Sequence, residues 1–90
     1  MPNQMLIQKR MRYHYDRCVT IAGGRLVEVG DEQGTSAAQL DAAIETQTAG
    51  ILYPVHLEST ANTLPLDEVI VIAHRRGVPV LVDAAAQIYP

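Results

Sequence analysis

Val78-Pro79-Val80-Leu81-Val82-Asp83-Ala84-Ala85-Ala86-Gln87 is a short apolar run that ends on a carboxylate and then on small residues. A near-continuous apolar run, without polar alternation, predicts a parallel strand covered on both faces. Asp83 then stands at the carboxyl end of that strand, where open α/β sheets place their ligands. A charge in such a place is costly unless a cation or a hydrogen-bond donor meets it. The three alanines leave room for a flat ligand close to the backbone. A second reading is purely local: Asp is common at turns and N-caps, so Asp83 caps whatever turn or helix follows the strand.

Working outward, Pro65 opens a helix just upstream. Asp67 and Glu68 favour its positive end, Arg75 and Arg76 favour its negative end, and Gly77 closes it. Ala49-Gly50-Ile51-Leu52-Tyr53-Pro54 is a mostly apolar strand, followed by a polar loop over 56–63. Ser36-Ala37-Ala38-Gln39 matches a capping box, and Leu40, Ala43 and Ile44 form a narrow apolar stripe, which together predict a helix over 37–45. Arg25-Leu26-Val27-Glu28-Val29 alternates, with Glu28 opposite Val27 and Val29, and so reads as an edge strand with one partly exposed face. Tyr15, Cys18, Val19 and Ala22 fall at helical spacing, giving a helix over 13–22 that stops at Gly23-Gly24. Met5-Leu6-Ile7-Gln8 is the first strand, and Lys9-Arg10-Met11-Arg12 a basic loop after it.

The sum is β-α-β-α-β-α-β, with intervals suited to crossover helices. Right-handed crossovers and an edge second strand predict a three-layer α/β sandwich whose four-stranded parallel sheet has the order 2-1-3-4. The winding reverses between the first and third strands. Loops 9–13, 56–63 and 83–87 therefore line one crevice. The chain of 90 residues shows no repeat, low-complexity segment or linker, so 1–90 is read as one domain.

Composition narrows the function. Nearly half the residues are apolar and about a fifth charged, as in an ordinary globular chain. A net charge of −3 gives no reason to expect nucleic acid or an anionic membrane as partner. No apolar run approaches the roughly 20 residues of a membrane span. Met1-Pro2-Asn3-Gln4 lacks the basic start and apolar stretch of a secretory signal, so a cytoplasmic location is expected. Cys18 is the only cysteine, which leaves no intramolecular disulfide and no cysteine-based metal cluster. Neither G-x-G-x-x-G nor G-x-x-x-x-G-K-[ST] occurs, and Gly23-Gly24 lies before a strand, on the wrong side for a phosphate.

Candidate side chains remain. His14, His56 and His74 are too scattered for a paired metal motif, and the helix dipole accounts for His74. His14 begins the first helix near the crevice, where it either stacks on a ligand or faces solvent. His56 and Glu58 share the ligand-side loop, as functional groups or as a solvated surface. Cys18, on an apolar helix face, is a core thiol. Ser59, Thr60 and Thr63 have no local hydrolase signature around them.

The ordered segments Leu64-Pro65-Leu66-Asp67-Glu68-Val69-Ile70 and Ala73-His74-Arg75-Arg76-Gly77, running into the 78–87 stretch, resemble fold-type I pyridoxal-phosphate enzymes. The resemblance is to the branch around bacterial selenocysteine synthase, which includes the ammonia-lyases of phosphorylated amino sugar acids. Cysteine desulfurases and class V aminotransferases are more distant relatives. Ala22-Gly23-Gly24-Arg25-Leu26-Val27-Glu28-Val29-Gly30 resembles the part of that fold before the capped helix, so the likeness runs from about residue 5 to 90.

That resemblance implies a central portion of a large catalytic domain, a pyridoxal 5'-phosphate cofactor, and lyase or transferase chemistry on an amino acid or amino sugar acid through a carbanion. It implies a homodimer for the complete enzyme. Asp83 matches the aspartate that pairs with the protonated pyridine nitrogen, which keeps the ring an electron sink. Ala85 matches the small residue against which the ring lies. Gln87 resembles the glutamine at the phenolic oxygen, with one more residue between it and Asp83 than desulfurases have. His14 falls near the position of the residue that stacks over the ring. The family's Schiff-base lysine lies beyond Pro90, and Lys9 comes from the wrong strand to replace it. No catalytic residue is therefore assigned, and the chain alone is expected to be inactive. The competing class is a small stand-alone binding module of flavodoxin-like order without catalysis.

Overall fold

A computed structural model describes residues 2–11, 23–57 and 59–83, with His56 and Asp83 described in their backbone alone. Four strands form one sheet: β1 (Gln4–Gln8), β2 (Arg25–Val29), β3 (Thr48–Pro54) and β4 (Val80–Asp83). Their order is β2-β1-β3-β4, and every pairing is parallel, as the sequence predicts. Two helices are described, α1 (Ala37–Ala43) and α2 (Leu66–Arg76). They pack against each other, as right-handed crossovers in one direction require. The helix expected over 13–22, with Cys18 on its face, lies outside the described residues.

Successive strand residues face opposite sides of a sheet. Leu6 and Ile7 are each fully buried, and so are Ile51 and Leu52, so the middle of the sheet is covered on both faces. Tyr53, Leu40, Val69 and Ile72 complete the core. β2 lies at an edge and exposes Arg25 and Glu28 while burying Val29, in agreement with its alternating sequence.

β4 departs from expectation. Its unbroken apolar run predicts cover on both faces, yet Leu81 is 57% and Val82 43% exposed. The cause is topological: among the described residues β4 is the other edge and pairs with β3 alone. Two smaller differences concern local chemistry. The expected basic loop at Lys9 is a 3-10 turn (Lys9–Met11) whose Met11 is fully buried. Pro65 stands at the N-cap of α2 rather than inside its first turn, where its fixed φ suits the extended backbone.

The capping box is present as read. Ser36 Oγ accepts from the Gln39 N–H at 3.2 Å, and Gln39 Oε1 accepts from the Ser36 N–H at 2.8 Å. α1 has only seven residues, too few to hold itself without such caps. Ser36→Ala should therefore lower stability by about 0.5–2 kcal/mol, read as a shift in the urea midpoint at constant slope.

At the far ends of the helices, Arg76 donates to both Asp41 oxygens, at 2.9 and 3.0 Å. The hydrogen bond from Arg76 holds the Asp41 carboxyl below its ordinary range. Both groups are exposed, so the pair orients α1 on α2 and adds little stability.

Candidate functional site

In a parallel sheet all carboxyl ends lie on one side. Here that edge runs Val29, Gln8, Pro54, Asp83 in spatial order. The register sets Asp83 beside Pro54, the last residue of β3. The turn Lys9–Met11 follows β1, and the 3-10 turn Val55–Leu57, which contains His56, follows β3. The winding reverses between β1 and β3, which places the crevice there.

The loops on this edge are bonded to one another. Arg10 Nη1 donates to the Glu32 carbonyl at 2.7 Å, joining the turn after β1 to the loop after β2. The Thr35 N–H donates to the Asn62 carbonyl at 3.0 Å, joining the loops after β2 and β3. Thr35 Oγ1 also donates to the Val29 carbonyl at 3.1 Å, so the same residue ties its loop to the end of β2. Asn62 adopts φ +62°, and Gly34 lies against its backbone. An open polar groove of about 580 Å³ lies there, between Asp31, Gly34, Ser36, Gln39 and Asn62.

A second set of bonds is buried. The Leu64 N–H donates to Gln8 Oε1 at 2.7 Å, and Gln8 Nε2 donates back to the Leu64 carbonyl at 3.2 Å. The Tyr53 hydroxyl donates to that same carbonyl at 3.0 Å, and Gln8 Nε2 also reaches Met11 Sδ at 3.4 Å. Gln8 is 2% exposed, although glutamine is seldom buried. Sequence reasoning passed over Gln8 and Tyr53. The available signal was a polar residue closing an otherwise apolar strand, Leu6-Ile7-Gln8.

Of the sequence-predicted residues, Asp83 ends β4 on the crevice edge. Ala85, Gln87, His14 and Glu58 lie outside the described residues. Lys9 and His56 belong to turns on the crevice side. His74 is exposed in the last turn of α2, at the opposite end of the sheet. Among the described residues no group of three His, Cys, Asp or Glu could hold a metal ion. Among them, too, no helix is long and apolar enough to cross a membrane.

No family model matches the chain. A D-glucosaminate-6-phosphate ammonia lyase from Salmonella typhimurium (strain 14028s / SGSC 2262) is 34% identical over 92 residues, covering 97% of this chain and 25% of that protein. A 5'-C-glycyluridine monooxygenase-decarboxylase from Streptomyces sp is 32% identical over 93 residues, covering 96% of this chain and 23% of that protein. A solved structure of D-glucosaminate-6-phosphate ammonia-lyase matches with a TM-score of 0.85 at 31% identity, over 96% of this chain and 25% of that one. This chain shares the fold of that part of the lyase. It spans about a quarter of the length of the curated relatives it matches.

Proposed function

We propose that the chain is the central portion of the large catalytic domain of a fold-type I pyridoxal-phosphate enzyme. The parent is a lyase or transferase of the selenocysteine synthase and class V aminotransferase branch. It acts on an amino acid or amino sugar acid, in the cytoplasm and as a homodimer. The observation that carries this reading is the position of Asp83. It closes β4 on the crevice edge of a sheet of order 2-1-3-4, within a segment similar to an ammonia-lyase over nearly its whole length. The lyase's substrate, as its name states it, supports an amino sugar acid for this protein as well.

The residues at hand fit the cofactor at one point. An anionic side chain at the end of a parallel strand suits a cationic ring nitrogen and suits a phosphate poorly. Pyridoxal 5'-phosphate, when bound, supplies the electron sink for negative charge developing on the substrate. Asp83 would keep the proton on the ring nitrogen. By the family resemblance, Ala85 would give the ring room, Gln87 would meet its phenolic oxygen, and His14 would stack on it. The turn after β1 and the loop after β3 would flank the cofactor on the crevice edge.

The test is the gene downstream of the Pro90 codon. An in-frame continuation that encodes a further strand, a Ser- or Gly-rich loop and then a lysine is the expected result. A stop codon directly after Pro90 would overturn the catalytic reading and leave a small flavodoxin-like binding module.

A further inference from the structure

We propose that Gln8 is a positioning residue of the crevice, and that its side-chain amide serves as one extra peptide unit beyond the end of β1. A main-chain residue in a hydrogen-bonded antiparallel pair gives one N–H and one C=O to its partner. Gln8 does the same with its side chain toward Leu64, which lies 56 residues away. The Leu64 N–H fixes which amide atom is the oxygen, since only an acceptor can meet it. The second Gln8 N–H hydrogen points to Met11 Sδ, a weak acceptor. Both donors and the acceptor of this amide are therefore engaged, and its two partners are buried: Leu64 is 7% exposed and Met11 is fully enclosed, as is Tyr53, which shares the Leu64 carbonyl.

The consequence is mechanical. Gln8 is the last residue of β1, Met11 ends the turn after β1, Tyr53 lies in β3, and Leu64 precedes α2. One amide thus holds the turn after β1 and the end of the loop after β3 as a single body across the point where the winding reverses. Without it, the Leu64 N–H would be buried beside an apolar side chain, and the loop end would have to move toward water. Asn62, two residues earlier, carries the carbonyl that anchors the loop after β2, so displacement of Leu64 is passed on to that loop. The link to ligand binding rests on the function proposed above, whereas the latch itself does not.

The experiment is site-resolved amide hydrogen exchange on the full chain without any cofactor, so its outcome does not depend on the catalytic reading. In Gln8→Met, of similar size but with no amide, protection of the Leu64 N–H and Thr35 N–H should fall about ten- to a hundred-fold. The Leu40 N–H in α1 should keep its protection. Gln8→Glu supplies the rescue. A neutral carboxyl has a carbonyl acceptor and an O–H donor in the places of the amide, whereas a carboxylate has acceptors only. Protection at Leu64 should be low at neutral pH and should recover as the pH falls and the carboxyl takes up its proton. Lys9 and Arg10 in the adjoining turn, Glu28 and Asp31 around the end of β2, and Asp67 and Glu68 at the start of α2 are the charged groups on the elements around it. Each value is therefore compared with the unsubstituted chain at the same pH. Unchanged protection at Leu64, uniform loss including Leu40, or no recovery of Gln8→Glu at low pH would each overturn the proposal.

Discussion

Asp83→Asn is expected to weaken binding of pyridoxal 5'-phosphate by the full-length protein about two- to thirty-fold, with no loss of thermal stability in the absence of cofactor. The two side chains are the same size and differ in charge. A hydrogen bond to a charged partner contributes about 1.5–3 kcal/mol, against about 1 kcal/mol between neutral groups, and every 1.4 kcal/mol is tenfold in affinity. Asparagine also cannot favour the protonated ring, so the loss should reach the upper end of the range where the ring nitrogen would otherwise be neutral. The substitution separates the two readings of this residue. Asn and Asp are nearly equivalent N-caps, so if Asp83 only caps the turn after β4, Asn leaves both affinity and stability unchanged. Equilibrium dialysis followed by absorbance of the cofactor measures the affinity, and a thermal melt of the apo-protein measures the cap. Asp83→Ala is the companion: it should lose stability under the cap reading and affinity under the cofactor reading.

The parts of this fold that could be read in the sequence are those whose cause lies within a few residues. The capping box at Ser36 and Gln39 needs four positions, and both of its hydrogen bonds are present. Gly77 ends α2 in the left-handed conformation for which glycine carries no steric penalty. The alternation of Arg25–Val29 placed β2 at an edge, and with right-handed crossovers that settles the order of the other three strands. What could not be read depends on partners far along the chain. Gln8 looks like the polar end of a strand until Leu64 is brought beside it. Met11 sits among Lys9, Arg10 and Arg12 and so reads as loop, yet the buried amide and the core beneath enclose it fully. The apolar run at Val80–Asp83 gave the strand and its terminal carboxylate correctly. It could not tell how many strands lie beside it, which is why the exposure of Leu81 and Val82 was not foreseen. The relatives, each about four times as long as the match, are long enough to hold further strands beyond that edge.

Gly34→Val should be strongly damaging to the loops of the crevice edge, costing roughly 2–5 kcal/mol. Two effects add. Gly34 has φ +140°, outside the range open to a β-branched residue, and a left-handed backbone costs about 1–2 kcal/mol in any residue with a Cβ. A Cβ at this position would also run into the Asn62 carbonyl oxygen and Asn62 Cβ. The obstruction is backbone, which cannot turn aside as a flexible side chain does, so the loops after β2 and β3 must separate. That breaks the bond from the Thr35 N–H to the Asn62 carbonyl and leaves a largely buried donor without a partner, at about 1–3 kcal/mol. Gly77 provides the control. It too has a positive φ, +71°, but a Cβ there meets nothing within 4 Å, so Gly77→Ala carries the conformational cost alone. For a chain of this size 1 kcal/mol moves the melting temperature by about 4–8 °C. Gly77→Ala should lower it by several degrees and Gly34→Val by at least about twice as much, with exchange at the Thr35 and Leu64 amides accelerated only in the latter. Equal shifts in the two variants would mean that Asn62 yields without cost. The three loops would then be held by the ends of their strands and not by each other, and the crevice would owe its shape to the sheet alone.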